Sequence, residues 1–254
     1  MTSPFDLTGR TALVTGAARG LGRAIALALA DAGADVALGL RDASADGGLA
    51  DEIAARGRRS VSLAMDVTDL EQSRAAIDHA VSELGGLDIL VNNAGGGIGG
   101  AAIDVSEDDF DAVWELNTRS TFFISQHAAR HMRTASGGAI VNIASQAGIV
   151  ALPGEASYCV SKAAIIHMTR CHAVEWGDYG IRVNAVAPTF IETDGTSDAL
   201  SDPSFRADTV ERIAALHRIG VPTEVSGAVV FLASGAASLV TGQTLGVDGG
   251  WTAR

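Results

Sequence analysis

The chain has 254 residues, 47% of them hydrophobic and 5% aromatic, and its formal net charge at pH 7 is −12. This length and apolar content suit one α/β domain, so we predict a single domain over residues 1–254. The negative charge repels phosphate backbones and anionic lipids, which argues against nucleic-acid and membrane partners.

The start of the chain, MTSPFDLTGR, lacks the basic-then-apolar order of a secretory signal. The apolar run near it, Ala24–Ala30, is far shorter than the ~20 residues that span a bilayer. The two cysteines, Cys159 and Cys171, fall in one predicted helix, too far apart to form a disulfide, which fits a reducing compartment. We therefore expect a soluble, cytoplasmic protein.

Short apolar runs alternate along the chain with longer segments of helical periodicity. The predicted strands are Thr11–Thr15, Asp35–Leu40, Ser60–Met65, Leu87–Asn92, Ala139–Ser145, Ile181–Ala187 and Gln243–Gly249. The predicted helices include Leu21–Ala32, Leu70–Leu84, Glu107–Arg133 and Ala156–Asp178. Strands that are apolar almost throughout are typical of parallel sheets covered on both faces. The alternation predicts an α/β fold with a doubly wound parallel sheet of the Rossmann type.

The first strand is followed by the turn TGAARGLG, Thr15–Gly22, which leads into the first helix. Glycines at 16, 20 and 22 permit positive φ and let a pyrophosphate approach the backbone. The helix N-terminus then offers free N–H groups to the anion. The spacing G-x-x-x-G-x-G differs from the standard G-x-G-x-x-G, and tight packing alone could also place three glycines here.

Two further strands end in polar residues. Asp66 follows the third strand, and NNAG, Asn92–Gly95, follows the fourth. Ligands of doubly wound sheets lie beyond the carboxyl ends of the strands. We therefore expect these residues and the glycine turn to face one extended cofactor.

The stretch SYCVSK places Tyr158 four residues before Lys162, so both share one face of the predicted helix. A tyrosine pKa is ~10, and bringing it near ~7 takes roughly 4 kcal/mol at about 1.36 kcal/mol per unit. A nearby ammonium in a partly desolvated cleft favours the phenolate, and proton transfer is most effective when the pKa is near the working pH. The alternative for an isolated pair is a solvated helix face.

Taken together, these motifs resemble the short-chain dehydrogenase/reductase family along nearly the full length of the chain. The matching segments are TGAARGLG, Asp66–Val67, NNAG, Asn117, Ser145, YCVSK and NAVAP at Asn184–Pro188. The resemblance implies a Rossmann-type fold and hydride transfer between a nicotinamide cofactor and a carbonyl–alcohol pair. It also implies a homotetramer, with the helices Glu107–Arg133 and Ala156–Asp178 and the end of the chain at interfaces.

The resemblance also implies roles for individual residues. Tyr158 matches the proton donor or acceptor, and Lys162 the residue that lowers its pKa and binds the nicotinamide ribose. Ser145 matches the hydroxyl that polarises the substrate oxygen, and Asn117 the residue that holds a water in the proton relay. Asp66 and Val67 match adenine contacts. The implied cofactor-binding set is Gly16, Arg19, Gly20, Leu21, Gly22, Arg41, Asp66, Val67, Asn93, Gly95, Tyr158, Lys162, Pro188, Ile191 and Thr193.

The end of the second strand bears on the choice between NADP and NAD. An acid there binds the ribose 2′-hydroxyl and repels a 2′-phosphate. We place Leu40 at that position, followed by Arg41, which with Arg19 could pair with a phosphate and favours NADP. A shift of the alignment by two residues would place Asp42 there and favour NAD. A surface pair between Arg41 and Asp42 would favour neither.

The segment from about residue 189 to 217 is predicted to be the substrate loop. The family often has Pro-Gly after the sixth strand, whereas Pro188 is followed here by Thr189, which puts substrate identity in doubt. Its acids repel a strongly anionic substrate and favour a neutral sugar, polyol or other secondary alcohol; they are Glu192, Asp194, Asp198 and Asp202.

Two rival functions stay open. A 3-oxoacyl-thioester reductase of the same family would need a basic docking patch near the cleft. A non-catalytic NADP-binding sensor is the second rival, and the intact set of Ser145, Tyr158 and Lys162 argues against it.

No metal site is expected. His127 and His131 are four residues apart on a predicted helix, but the sequence offers no third ligand, so we expect surface or interface histidines.

Overall fold

The computed structural model describes residues 3–253 and contains a seven-stranded parallel sheet of order β3-β2-β1-β4-β5-β6-β7. Its strands are β1 Thr11–Thr15, β2 Asp35–Leu40, β3 Ser60–Ala64, β4 Ile89–Asn92, β5 Gly138–Ile143, β6 Ile181–Pro188 and β7 Thr244–Val247. Its α-helices are α1 Gly20–Asp31, α2 Leu49–Ala55, α3 Leu70–Leu84, α4 Glu107–Trp114, α5 Ser120–Thr134, α6 Ala156–Trp176, α7 Ser197–Ser201, α8 Pro203–Arg212 and α9 Pro222–Ala233. The doubly wound Rossmann-type fold is confirmed.

The central strands are buried on both faces because helices cover each side of the sheet. Successive side chains of a strand point to opposite faces. Val14 of β1 belongs to the apolar cluster that includes Leu29 of α1 and Val229 of α9. Its neighbour Leu13 belongs to the other cluster, together with Ile77 of α3. This two-sided covering explains why the strands are apolar almost throughout.

The strand order reverses at β1, which pairs with β2 on one side and with β4 on the other. A crevice opens at such a reversal, beyond the carboxyl ends of the strands. The glycine turn and the NNAG segment both begin there. Among residues 3–253, no helix has the length and apolar character needed to cross a bilayer.

The predicted helix over Glu107–Arg133 is interrupted by a π-helical turn, Glu115–Arg119, between α4 and α5. Side-chain hydroxyls bond to backbone carbonyls at this point: Thr121 Oγ1 donates to the Asn117 carbonyl oxygen at 2.6 Å. Such back-bonding competes with the regular helical pattern. The periodicity of the sequence did not reveal this local widening.

The predicted substrate loop contains two helices, α7 and α8, although its sequence reads as irregular. Asp202 caps α8 through backbone N–H groups of Ser204 and Phe205, at 2.8 and 3.3 Å, and Pro203 occupies the first helical position. A capping aspartate followed by proline is a helix-start signal, which the polar composition of the segment concealed.

Candidate active site

The glycine turn uses its three glycines for two different reasons. Gly16 and Gly20 have φ values of +66° and +56°, in the left-handed region that favours glycine. Gly22 has no such φ, but a Cβ there would overlap the carbonyl oxygen of Gly16. The first two glycines therefore shape the turn, and the third allows α1 to pack against it.

Asn93 locks the glycine turn to the end of β4. Its Nδ2 donates to the Thr15 carbonyl oxygen at 2.9 Å and to that of Gly16 at 3.2 Å. In return, Thr15 Oγ1 accepts the backbone N–H groups of Asn93 and Ala94 at 2.9 and 3.0 Å. These bonds place Asn93 at the edge of the crevice and hold the turn in one conformation.

The N-terminus of α1 suits an anion. Arg19 takes the N-cap position in an extended conformation, no side chain caps this end, and its first turn holds no acidic residue. A Cβ built on Gly20 would lie 3.5 Å from Cβ of Thr193, so the segment after β6 lies against the turn. Together with Leu21, which is half-buried, this arrangement fits the diphosphate of a dinucleotide.

Arg41 is exposed just beyond the end of β2. Asp42 turns instead to Ser44, accepting its backbone N–H at 2.9 Å and its hydroxyl at 2.7 Å, and residues 3–253 contain no ion pair between Asp42 and Arg41. Hydrogen bonds from the side chain and backbone of Thr68, with a weaker effect of the Arg41 charge, lower the pKa of Asp66. Val67 beside it is buried. The Arg41 guanidinium therefore lies close enough to Asp66 for its charge to act on that carboxyl.

Lys162 lies one turn beyond Tyr158 on α6 and is the single lysine of the chain. Its side chain is buried, and Nζ donates to the carbonyl oxygen of Ile143 at 2.9 Å. The Nζ atom lies 5.6 Å from the centre of the Tyr158 ring. Burial lowers the pKa of Lys162 to about 8. In the described part of the chain no carboxylate pairs with this amine, which leaves it available for hydroxyl groups.

The pKa of Tyr158 is raised, mainly by burial; a hydrogen bond with Ser145 lowers it, and the charges of Glu155 and Cys159 raise it further. In the protein residues by themselves the pKa of Tyr158 is therefore raised, because burial of the phenol outweighs the groups that would lower it. The expected contribution of Lys162 stays a prediction.

Ser145 is buried two residues beyond β5, where its hydroxyl takes part in two local hydrogen bonds. Its Oγ accepts the backbone N–H of Ala147 at 3.1 Å and donates to Oε1 of Gln146 at 2.8 Å. The buried Gln146 thus orients the Ser145 hydroxyl. Sequence analysis did not assign Gln146 a role, because its position next to Ser145 does not show that its side chain turns back to bond the Ser145 hydroxyl.

Asn117 is fully buried in the π-helical turn. Its Nδ2 donates to the Gly96 carbonyl oxygen at 2.8 Å and to Ser161 Oγ at 2.9 Å, while its Oδ1 accepts the Gly96 N–H at 3.0 Å. A Cβ on Gly95 would lie 2.9 Å from that Oδ1 and 3.2 Å from Lys162 Nζ. The amide therefore fastens the NNAG segment to α6, and its expected role in holding a water stays a prediction.

Comparison with known proteins decides the family. Residues 16–252 match a family model described as enoyl-(acyl carrier protein) reductase. The chain is 42% identical over 253 residues to the 2-dehydro-3-deoxy-D-gluconate 5-dehydrogenase of Escherichia coli (strain K12), with 99% of each chain covered. The chain belongs to the short-chain dehydrogenase/reductase family.

Two further members of the short-chain dehydrogenase/reductase family extend the comparison. The D-threitol dehydrogenase of Mycolicibacterium smegmatis is 39% identical, with 98% of this chain and 95% of that one covered. A gluconate 5-dehydrogenase from Burkholderia cenocepacia, solved in complex with NADP and tartrate, is 37% identical with a TM-score of 0.94, covering 99% of this chain and 98% of that one. These matches confirm the predicted oxidoreductase class and its nicotinamide dinucleotide.

The segment after β6 is held by β7 and by Gly220. Pro188 ends β6, and the backbone N–H of Thr189 donates to the Val247 carbonyl oxygen at 3.2 Å. The Thr189 hydroxyl is buried and has no hydrogen-bond partner among residues 3–253. Ile191 is buried and forms an isolated bridge with Gly220. Thr189, at the position where the family often has glycine, therefore adds a buried hydroxyl four residues before Thr193.

The histidine pair has an acidic neighbour that the sequence did not reveal. Asp78 of α3 supplies the third group that sequence analysis did not find: its Oδ1 lies 2.8 Å from His127 Nε2 and 2.7 Å from His131 Nε2. The two imidazoles lower the pKa of Asp78 against the opposing effect of its burial. The cluster joins α3 to α5 away from the crevice. Only the pairing of the helices could show it, because Asp78 is distant in sequence.

Proposed function

We propose that this protein transfers a hydride between NADP and a secondary alcohol or carbonyl group of a sugar-derived or polyol substrate. The observation that carries the proposal is the convergence of Ser145, Tyr158 and Lys162 beside the glycine turn at the carboxyl edge of the sheet. The similarity to the two sugar-acid dehydrogenases and the threitol dehydrogenase supports the substrate class.

The dinucleotide, when bound, supplies or accepts the hydride. The glycine turn and the N-terminus of α1 would hold its diphosphate, with Gly16, Gly20 and Gly22 allowing the close approach. Arg41 and Arg19 would pair with the 2′-phosphate, since Asp42 is engaged with Ser44. The remaining members of the proposed cofactor set are Leu21, Asp66, Val67, Asn93, Gly95, Pro188, Ile191 and Thr193.

The protein moves the proton that accompanies the hydride. In the reductive direction the Tyr158 hydroxyl donates its proton to the substrate oxygen; in oxidation the phenolate accepts it. The Ser145 hydroxyl hydrogen-bonds to the same oxygen as charge develops there. The Lys162 amine binds the ribose hydroxyls and, when charged, favours the phenolate. The buried Asn117 holds the loop that positions these groups.

A panel of neutral sugars, polyols, sugar acids and 3-oxoacyl thioesters, assayed with both dinucleotides, tests this proposal. We expect the highest kcat/KM for NADP with a member of the sugar or polyol class. Activity with NAD alone would contradict the cofactor assignment. NADP binding without turnover of any compound would instead support the sensor function.

The description of the matched family model favours a thioester reductase as a second candidate. Such an enzyme would dock an acidic carrier protein through basic residues near the cleft. The two arginines of α8 are both engaged with acids, Arg206 with Glu192 at 3.5 Å and Arg212 with Asp208 at 2.7 Å. This surface does not favour an acidic carrier, so we expect the thioesters to be poor substrates in the panel.

A homotetramer forms part of the same proposal. The helices α5 and α6 present large apolar side chains to solvent, including Phe122 at 39% and Val174 at 84% exposure. Exposed large apolar side chains on a helix are often covered by another subunit. Light scattering coupled to size exclusion should give four chains per particle, and a monodisperse monomer would contradict the proposal.

A further inference from the structure

Glu155 is the last residue before α6 and lies three positions ahead of Tyr158. A Cβ built on Gly97 would lie 3.2 Å from its Oε2 and 3.2 Å from the Tyr158 side chain. A Cβ on Gly99 would lie 3.2 Å from its Oε1. The carboxylate is therefore packed under the glycine-rich loop Gly95–Gly100, beside the catalytic phenol. An isolated bridge between Gly100 and Glu155 fixes the two segments against each other.

This carboxylate has no partner within residues 3–253, neither an ion pair nor a hydrogen bond. It occupies the N-cap position of α6 yet does not cap the helix. Burial raises the pKa of Glu155, which shows that its surroundings do not compensate for the lost solvation. An uncompensated carboxylate in a half-buried position is costly unless a ligand satisfies it.

The position of Glu155 also opposes the chemistry of the site. Its negative charge contributes to raising the pKa of Tyr158 and so disfavours the phenolate, the form that accepts the substrate's proton in oxidation. Departures of this kind from the favourable local arrangement are expected at binding sites, where the ligand supplies the missing interaction. Glu155 is therefore better explained by the substrate than by the fold.

We propose that Glu155 forms a substrate subsite that accepts hydrogen bonds from hydroxyl groups neighbouring the reacting carbon, and that it selects neutral polyhydroxylated substrates over sugar acids. This inference rests on the proposed function. Hydroxyl groups suit the subsite because a carboxylate only accepts hydrogen bonds and a polyol offers adjacent donors. A second carboxylate at the same position would meet like-charge repulsion in a partly desolvated pocket.

On this inference the chain disfavours a substrate that carries a carboxylate, whereas the relatives named above include dehydrogenases of sugar acids.

The variant Glu155→Gln removes the charge and keeps the shape, and Glu175→Gln, an exposed glutamate on the same helix, is the matched control. Three substrates are compared: the best neutral polyol of the panel, its analogue with hydrogen in place of the hydroxyl next to the reacting carbon, and the corresponding sugar acid. We expect kcat/KM for the polyol to fall about tenfold, mostly through KM, because a charge-assisted hydrogen bond is lost. The deoxy analogue should change by less than about twofold, and the ratio of sugar acid to polyol should rise about tenfold.

An equal loss on the polyol and its deoxy analogue would assign Glu155 a purely structural role and overturn the inference. Unchanged ratios among the three substrates would overturn it as well, while the wild-type turnover of polyols would leave the proposed function standing. If the wild-type protein turned over no sugar or polyol, the proposed function would fail and take the subsite with it.

Discussion

The Nζ atom of Lys162 lies 5.6 Å from the centre of the Tyr158 ring and donates its hydrogen bond to the Ile143 carbonyl oxygen. The backbone at the end of β5, rather than the phenol, therefore fixes the position of the amine. Both side chains are desolvated, and burial shifts both toward their neutral forms: the pKa of Tyr158 rises and that of Lys162 falls to about 8. At neutral pH the phenol is therefore neutral, whereas the amine, with a pKa of about 8, still carries its charge in most molecules.

Replacing Tyr158 with phenylalanine should abolish proton transfer while leaving the crevice intact. We expect kcat to fall roughly 10³-fold, within the range for loss of a general acid or base. The dissociation constant of NADP, measured by fluorescence titration, should change by less than about threefold, because the phenol is not needed to hold the diphosphate. Tyr179→Phe is the matched control, since Tyr179 is the other tyrosine and is exposed. Near-wild-type turnover in Tyr158→Phe would refute the catalytic assignment.

The depressed pKa of Lys162 makes stability depend on pH with a definite sign. The unfolded chain holds this proton up to a pKa of 10.5 but the folded chain only to about 8, so the unfolded state binds more protons between these values. The unfolding free energy of the dinucleotide-free protein should therefore rise with pH through this window. Relative to Lys162→Met, the rise between pH 7.5 and 9.5 should be about 2 kcal/mol.

Urea denaturation of both proteins at several pH values measures this difference, in which other titrating groups cancel. Because Lys162 is the single lysine, no other lysine contributes in the same range. A difference that stays flat or falls with pH would mean that the amine is solvated or paired in the folded protein.

The sequence predicted the sheet because the sheet depends on local patterns; the catalytic set also follows from local patterns and stays a prediction. Apolar runs marked the strands of the sheet, and the four-residue spacing placed Tyr158 and Lys162 on one helix face. What it missed depends on folding in three dimensions. Gln146 folds back onto Ser145, Asp78 reaches His127 from another helix, and the Glu155 carboxylate is covered by a loop some 55 residues earlier in the chain. No periodicity in the sequence reports such contacts.

Arg41 should determine the preference for NADP. Arg41→Ala removes the exposed guanidinium next to the crevice, and loss of a charge-assisted phosphate contact costs about 1.5–3 kcal/mol. We expect kcat/KM with NADP to fall roughly 10- to 100-fold, while the value with NAD changes by less than about twofold. Arg74→Ala, an exposed arginine of α3, serves as the control. Equal losses with both dinucleotides would show that Arg41 does not contact the 2′-phosphate.

Gly22→Ala should disrupt the cofactor crevice through packing alone. The added Cβ would overlap the carbonyl oxygen of Gly16 and crowd Nδ2 of Asn93, so the turn and the end of β4 must move apart. Overpacking of this kind costs about 1–3 kcal/mol, and NADP affinity should fall with it. Gly227→Ala in α9 is the matched control, because a Cβ there meets nothing within 4 Å and alanine favours a helix by up to about 1 kcal/mol. In urea denaturation, the free energy of unfolding should therefore fall in Gly22→Ala and rise in Gly227→Ala. In NADP titration, the affinity should fall only in Gly22→Ala. Wild-type stability and affinity in Gly22→Ala would mean that the turn is not as tightly packed against α1 as the structure shows.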